Sequence, residues 1–327
     1  MTANHQPLMK AGMDALLAGD IEGSLRAFAE ARRLMPTDIG LLHSLALLYL
    51  NDQRFPEAWS AAETGLALHP GNPDFIAKRI AAMSGAGFTD AALTLARAQM
   101  AVAPDNPLLV EHFGTLLLRV GDAPTALQVG KAALARHPDF TGLLSMTAEA
   151  AFRLGDTASA RRWLDHALSL EPGNGTLRMA RATMLLSIAQ WDQGLKDYEV
   201  RLQTRKILRQ DLSIPRWQGE DIAGKHLLVV SEQGVGDQMR FLRDILAVLP
   251  FCGRVTVECA ARLVPLFRRS LPEAVQVLAA QERSEGRRHV FDYGWLPASG
   301  GPQTWIEMGS LMLRLLERGR PPEGLAG

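Results

Sequence analysis

"GDAPTALQVGKAALARHP", residues 121–138, and "GDTASARRWLDHALSLEP", residues 155–172, are written on one frame. Each opens on Gly-Asp, sets an alanine at the same offset (Ala126, Ala160) and closes on proline (Pro138, Pro172). The frame runs back along the chain. Pro36, Pro70, Pro104, Pro138 and Pro172 stand 34 residues apart every time. Twelve positions before them lie Ser24, Ala58, Ala92, Ala126 and Ala160, and eight before lie Phe28, Ala62, Ala96, Gly130 and Leu164. Two antiparallel helices approach closely only where a small side chain marks their crossing, and a proline then stops the second helix and re-aims the chain. The period therefore predicts stacked helix pairs at about 5–38, 39–72, 73–106, 107–140 and 141–174. A sixth unit, about 175–206, keeps Gly194 and Tyr198 at the small and aromatic positions but has Lys206 in the proline slot, where the array frays.

A 34-residue period with these residues resembles the tetratricopeptide repeat (TPR). That resemblance implies an α-helical superhelix over 1–206, five clear repeats and one degenerate, whose first helices line a concave groove. The family's groove-facing offsets fall on His43, Asn51, Glu111, Thr115, Arg119, Ser145, Glu149 and Arg153. Such a mixture of polar and charged side chains suits an extended peptide or a partner helix. The competing reading makes them solvated faces of the helices. The asparagine ladder of the nucleocytoplasmic O-linked GlcNAc transferases is not visible.

At 327 residues the chain has room for two domains, each with its own core. Thirty-five basic residues balance 35 acidic ones, so no global field favours nucleic acid or an anionic membrane. No apolar run reaches the roughly 18–20 residues of a membrane span, and MTANHQPLMKAGMDALLAGD does not read as a signal peptide. Cys252 and Cys259 have no second pair or histidine cluster beside them, so neither a metal site nor a disulfide framework is expected. The expected location is cytoplasmic.

The texture changes after the array. Arg201, Arg205, Lys206, Arg209 and Arg216 face a single Asp211, which reads as a solvated junction with a linker over 207–225; phosphate attraction is the alternative. Between 226 and 300, HLLVV (226–230), RVTVEC (254–259) and AVQVLA (274–279) read as strands. They alternate with a helix from Asp237 to Leu249 and a short one in RLVPLFRRSL. This predicts a partial α/β, Rossmann-like parallel sheet, with ligands at the carboxyl ends of the strands, where Glu232 to Asp237 lie. Over 301–327 the expectation is an amphipathic helix at about 303–318, with Trp305, Ile306, Leu311, Leu315 and Leu316 free to dock, and a flexible tail. A half-sheet with one bare side invites self-association or a lid, and that helix is expected to cover part of it.

The turn in "VVSEQGVGDQMRF" (229–241) has three readings. A dinucleotide site would use Gly234-Val235-Gly236, with Glu258 as the ribose acid, but Met239 stands in the third glycine slot. A purely structural turn would need glycines only for tight chain reversal. The third reading rests on W-x-G-x-x-x-x-G-K-x-L-L-V-x-x-E-Q-G-x-G-D, Trp217 to Asp237. With WDQGLKDYEVRL (191–202), Phe241, Arg243, the VTVE strand and Phe291-Asp292, it resembles bacterial TPR proteins carrying a glycosyltransferase-like domain of the two-Rossmann type. These are related to the heptosyltransferases and O-linked GlcNAc transferases.

That resemblance implies Asp237 as the base that deprotonates an acceptor hydroxyl, with Gly234 and Gly236 leaving room for substrate. Glu232 and Gln233 would organise the turn or touch the acceptor. A nucleotide sugar would be the only cofactor, and only on this reading. About fifty residues follow the third strand, fewer than a second Rossmann half of roughly a hundred needs. The expectation is therefore a TPR scaffold or adaptor with a truncated, inactive glycosyltransferase-like domain. Clients of related proteins include surface or flagellar proteins destined for glycosylation. The alternative is a glycosyltransferase whose donor site a partner chain completes.

Overall fold

A computed structural model of the chain describes residues 6–18, 20–204, 207–232, 234–285, 288–297 and 299–319. They form two compact units that divide between Gly173 and Asn174.

The first unit holds five antiparallel pairs among the described residues: α1 (Gln6–Leu17) with α2 (Ile21–Leu34), α3 (Ile39–Asn51) with α4 (Phe55–Leu68), α5 (Pro73–Gly85) with α6 (Thr89–Val102), α7 (Pro107–Arg119) with α8 (Ala123–Leu134), and α9 (Thr141–Arg153) with α10 (Thr157–Leu170). The small positions behave as helix crossings. Ser24, Ala58, Ala92, Ala126 and Ala160 are all fully buried, and a Cβ added to Gly65 would come within 2.5 Å of the Phe75 ring. Local chemistry repeats with the same period. Asp38, Asn72 and Asn106 cap α3, α5 and α7 with their side-chain oxygens, while Asp20, Asp122 and Asp156 cap α2, α8 and α10. Each satisfies an amide that the helix leaves open. First helices also touch one another, α3 against α5, α5 against α7 and α7 against α9, while α2, α4, α6 and α8 pack chiefly between the first helices before and after them. The array thus curves with its first helices on the inner side.

The residue ahead of the second-helix cap turns left-handed: Gly87 at φ 93°, Gly121 at 86° and Gly155 at 85°. Gln53 (58°) and Ala189 (59°) fill the same slot with a Cβ, which strains the backbone. Gln53→Gly and Ala189→Gly are each expected to stabilise the fold by about 0.5–1 kcal/mol. A higher urea midpoint with an unchanged slope is the predicted reading, and a lower midpoint contradicts it.

The second unit begins with α11 (Gly175–Ser187), α12 (Trp191–Tyr198) and the short α13 (Arg201–Thr204). The sixth helix pair therefore belongs to this unit and not to the first. There follow β1 (Ile207–Gln210), β2 (His226–Val230), α14 (Val235–Arg240), α15 (Leu242–Val248), β3 (Arg254–Cys259), α16 (Val264–Ser270), β4 (Gln276–Ala279), β5 (Glu282–Glu285), β6 (Arg288–Asp292), β7 (Thr304–Glu307) and α17 (Leu311–Glu317). A four-stranded parallel sheet runs β4-β3-β2-β7, and a three-stranded one runs β1-β6-β5. Strand order in the larger sheet reverses at β2, with β3 and β4 on one side and β7 on the other. One face buries Leu227, Val229, Val257 and Ile306 under Ile245, Phe267, Leu311 and Leu315 of the helices. The opposite face packs Leu228 and Val230 against Phe291 and Tyr293.

Several expectations need correction here. The linker at 207–225 contains strand β1, and its Pro215–Trp217 stretch hydrogen-bonds to Trp305 of β7 and sinks Trp217 into the core. The helix expected at 303–318 is strand β7, a 3-10 turn and a shorter helix. Thr304 and Ile306 have to face one side of a sheet, which a helix cannot arrange. The helix expected from Asp237 to Leu249 breaks at Phe241. The sheet's second face is not bare, because β6 and the residues after it cover it, so the stated reason for self-association falls away. The tail from 320 onward lies outside the described residues.

Candidate functional site

All eight expected groove residues lie on first helices of the first unit: His43 and Asn51 on α3, Glu111, Thr115 and Arg119 on α7, and Ser145, Glu149 and Arg153 on α9. Asn51, Thr115, Arg119, Glu149 and Arg153 are exposed, while His43, Glu111 and Ser145 are half-buried. They form rows because they share the 34-residue period, and those rows cross α5 at Ala77, Ala81 and Gly85, none of which brings a polar side chain. Arg153 bonds to Glu149 and to the carbonyl of Leu118. Burial pushes the Glu111 carboxyl up to about 7. It also holds His112 at about 4 and His43 below the ordinary imidazole range, with Lys78 adding to both effects.

Glu111 carries a pH dependence. Its folded pKa lies above the ordinary 4.5, so its contribution to stability is complete at acid pH and is lost as pH rises through about 7. Glu111→Gln is expected to match the wild type at pH 4 and to exceed it at pH 8 by on the order of 1–3 kcal/mol. Urea unfolding at the two pH values checks this, and a difference that does not change with pH contradicts it.

In the second unit, the turn after β2 meets the turn after β7, at the point where open α/β sheets generally accept ligands. Here the space is filled from within. Arg201 is completely buried. Its Nε and Nη2 donate to Glu232 Oε1 at 3.1 and 2.7 Å, its Nη2 to Ser310 Oγ at 2.7 Å, and its Nη1 to Glu199 Oε1 at 2.8 Å. The Gly309 amide donates to the same Glu232 oxygen at 3.1 Å. A Cβ on Gly309 would stand 2.6 Å from that oxygen, so glycine is required there. Arg216 bonds Glu307, Glu199 and Ser310 alongside. Burial alone would raise the Glu199 carboxyl, but Arg201, Ser310 and Arg216 hold it below the usual range.

Glu232 is thus buried, with its Oε1 accepting from Arg201 and from the Gly309 amide. Arg201, Arg209 and Arg216 are not solvated junction charges: Arg209 donates to the Tyr293 hydroxyl and the Ser231 carbonyl. Arg205, Lys206 and Gln233 lie outside the described residues. Asp237 sits in the first turn of α14 with its side chain 38% exposed and Arg240 at 3.9 Å. Neither Gly234 nor Gly236 has positive φ, and a Cβ on either would meet no described residue within 4 Å. Tight reversal thus does not explain these glycines, and the space beside them is open. The ribose-acid candidate Glu258 is buried, accepting from Ser231 Oγ at 3.0 Å and the Tyr293 hydroxyl at 3.2 Å. That removes the exposed acid a dinucleotide site would need.

Sequence reasoning missed Glu199, Arg201, Arg216 and Ser310 as a cluster, since they come from three separated segments. Among the described residues no group of three His, Cys, Asp or Glu side chains could hold a metal ion. No described helix is long and apolar enough to cross a membrane.

Residues 117–184 match the family model of the tetratricopeptide repeat. The protein FlbA of Caulobacter vibrioides is 37% identical over 108 residues, covering 32% of this chain and 18% of FlbA. The chain thus spans less than a fifth of that curated relative. A thermophilic TPR protein of Thermus thermophilus superposes with a TM-score of 0.47 at 23% identity, over 56% of this chain and 99% of that one. MamA of Desulfovibrio magneticus does so with a TM-score of 0.39 at 16% identity, over 53% and 99%. The similarity to the tetratricopeptide repeat thus lies at 117–184, within the run of helix pairs.

Proposed function

We propose that the chain is a polypeptide-binding TPR scaffold that carries a glycosyltransferase-like α/β unit. The observation that carries the scaffold role is the row of polar side chains along α7 and α9, on the inner side of the array, with Thr115, Arg119 and Glu149 open to a partner. A polypeptide laid across these helices would meet hydrogen-bonding and charged groups over an apolar, rigidly packed base. The full chain used as bait is expected to retain a set of polypeptides that is lost with Thr115→Arg plus Arg119→Glu and kept with Gln128→Glu on α8. An identical set from all three proteins would overturn the scaffold role.

A second reading, transfer of a sugar to a protein or glycan acceptor with Asp237 as base, is favoured by one observation: the open space at Gly234 and Gly236 beside a half-exposed carboxylate. The match of Trp217 to Asp237 to the glycosyltransferase-like pattern and the reversal of strand order at β2 support the same assignment. On this reading a nucleotide sugar is the donor. Asp237→Asn would lower transfer by roughly 10²–10⁴-fold while leaving client retention intact, and equal transfer by both proteins removes Asp237 from the chemistry.

A further inference from the structure

Two carboxylates on the inner face of the array differ in their surroundings. Glu149 is answered by Arg153. Glu111 forms no hydrogen bond or ion pair with any described residue, and burial is the only influence on its carboxyl. Its position is set by α9: the carboxylate lies against Gly142, where a Cβ would overlap both of its oxygens. The group is therefore sunk between two neighbouring first helices. The cap residue of α9, Phe140, brings no side-chain oxygen, unlike Asp38, Asn72 and Asn106 on the preceding first helices. Glu111 does not supply the missing capping bond. A carboxylate held half out of water without a partner costs stability, and nothing described within the first unit recovers that cost.

Resting on the scaffold reading, we propose that Glu111 anchors the client by accepting a cationic group, a lysine or arginine side chain or an N-terminal ammonium, between α7 and α9. A cation brought to this carboxylate forms a charge-assisted hydrogen bond in a partly desolvated cleft, where such bonds are strongest. It also restores the ionised form that burial disfavours. Glutamine keeps the shape of the side chain but accepts a cation far more weakly, and Gly142 gives the carboxylate the space that any other residue would take.

The test uses the full chain on an array of N-acetylated decapeptides with nine positions randomised among uncharged residues. The central position is fixed as lysine, arginine, glutamine, glutamate or leucine, and a further set has a free N-terminus and a central glutamine. Retention on lysine and arginine spots is expected to exceed that on acetylated glutamine spots by about tenfold. The excess should vanish with Glu111→Gln, persist with Glu30→Gln, an exposed carboxylate on the second helix α2, and survive in reduced form with Glu111→Asp. An excess confined to the free N-terminus set, and equally dependent on Glu111, supports the proposal with the ammonium as the cation. Retention without charge preference, or a preference unchanged in Glu111→Gln with the helical circular dichroism intact, overturns the role of Glu111 alone. No retention on any spot overturns the scaffold reading with it.

Discussion

Arg201→Ala is expected to destabilise the second unit by about 3–5 kcal/mol, the cost of leaving a buried carboxylate without its counter-charge. The guanidinium supplies bonds to Glu232, Glu199, Ser310 and the Tyr198 carbonyl and lies 4.5 Å above the Tyr198 ring. Its removal strips two of the three bonds described for Glu232 Oε1 and leaves the one from the Gly309 amide, in a buried site. The loss should fall on hydrogen exchange of the Leu227–Val230 amides, which the turn after β2 secures. Because the penalty is that of an unpaired charge, Arg201→Met combined with Glu232→Gln should recover much of it. A single-variant effect below about 1 kcal/mol would mean that the network is solvated, contrary to its burial.

Trp217→Ala is the second large effect. Trp217 is fully buried among Ile222, Val229, Ile306 and Leu315, and its indole N–H donates to the Glu220 carbonyl at 2.8 Å. Truncation removes a large apolar side chain and leaves a cavity, at a cost of about 3–5 kcal/mol. A solvated linker residue would change stability by no more than about 0.5 kcal/mol. The same exchange measurement on β2 therefore separates a core tryptophan from a linker tryptophan.

How far the fold was legible depends on how local its cause is. The array could be read because every repeat states the same packing problem: a small residue at the crossing and a proline at the stop. Ala58, Ala92, Ala126 and Ala160 are buried where the period puts them. Strands β2 and β3 were legible as short apolar β-branched runs. β1 and β7 were not, since each has four residues and owes its state to a neighbour distant in sequence: Ile207 pairs with His289, and Thr304 with Leu227. The stretch from Trp305 to Leu316 is apolar at both strand and helix spacing, so periodicity alone could not find the change at Met308.

The candidate sites divide in the same way. The inner-face residues follow from the repeat offsets, and the structure sets them on α3, α7 and α9. That Glu111 lacks a partner among the described residues while Glu149 has one depends on Gly142 and on helix spacing, which a single sequence does not display. The arginines of the junction looked like surface charge because composition says nothing about depth. Arg201 is buried only because Glu199, Glu232 and Ser310 converge on it from three segments.

The central claim, that the inner face of the first helices holds a polypeptide, is tested most directly by site-specific photo-crosslinking in the producing cell. A benzoylphenylalanine at Thr115, on the inner face, is compared with one at Gln128, exposed on α8. The account predicts discrete crosslinked polypeptides from position 115 that disappear when Arg119→Glu is added, and none from position 128. Equal crosslinking from the two positions, or crosslinking from 128 alone, would contradict it.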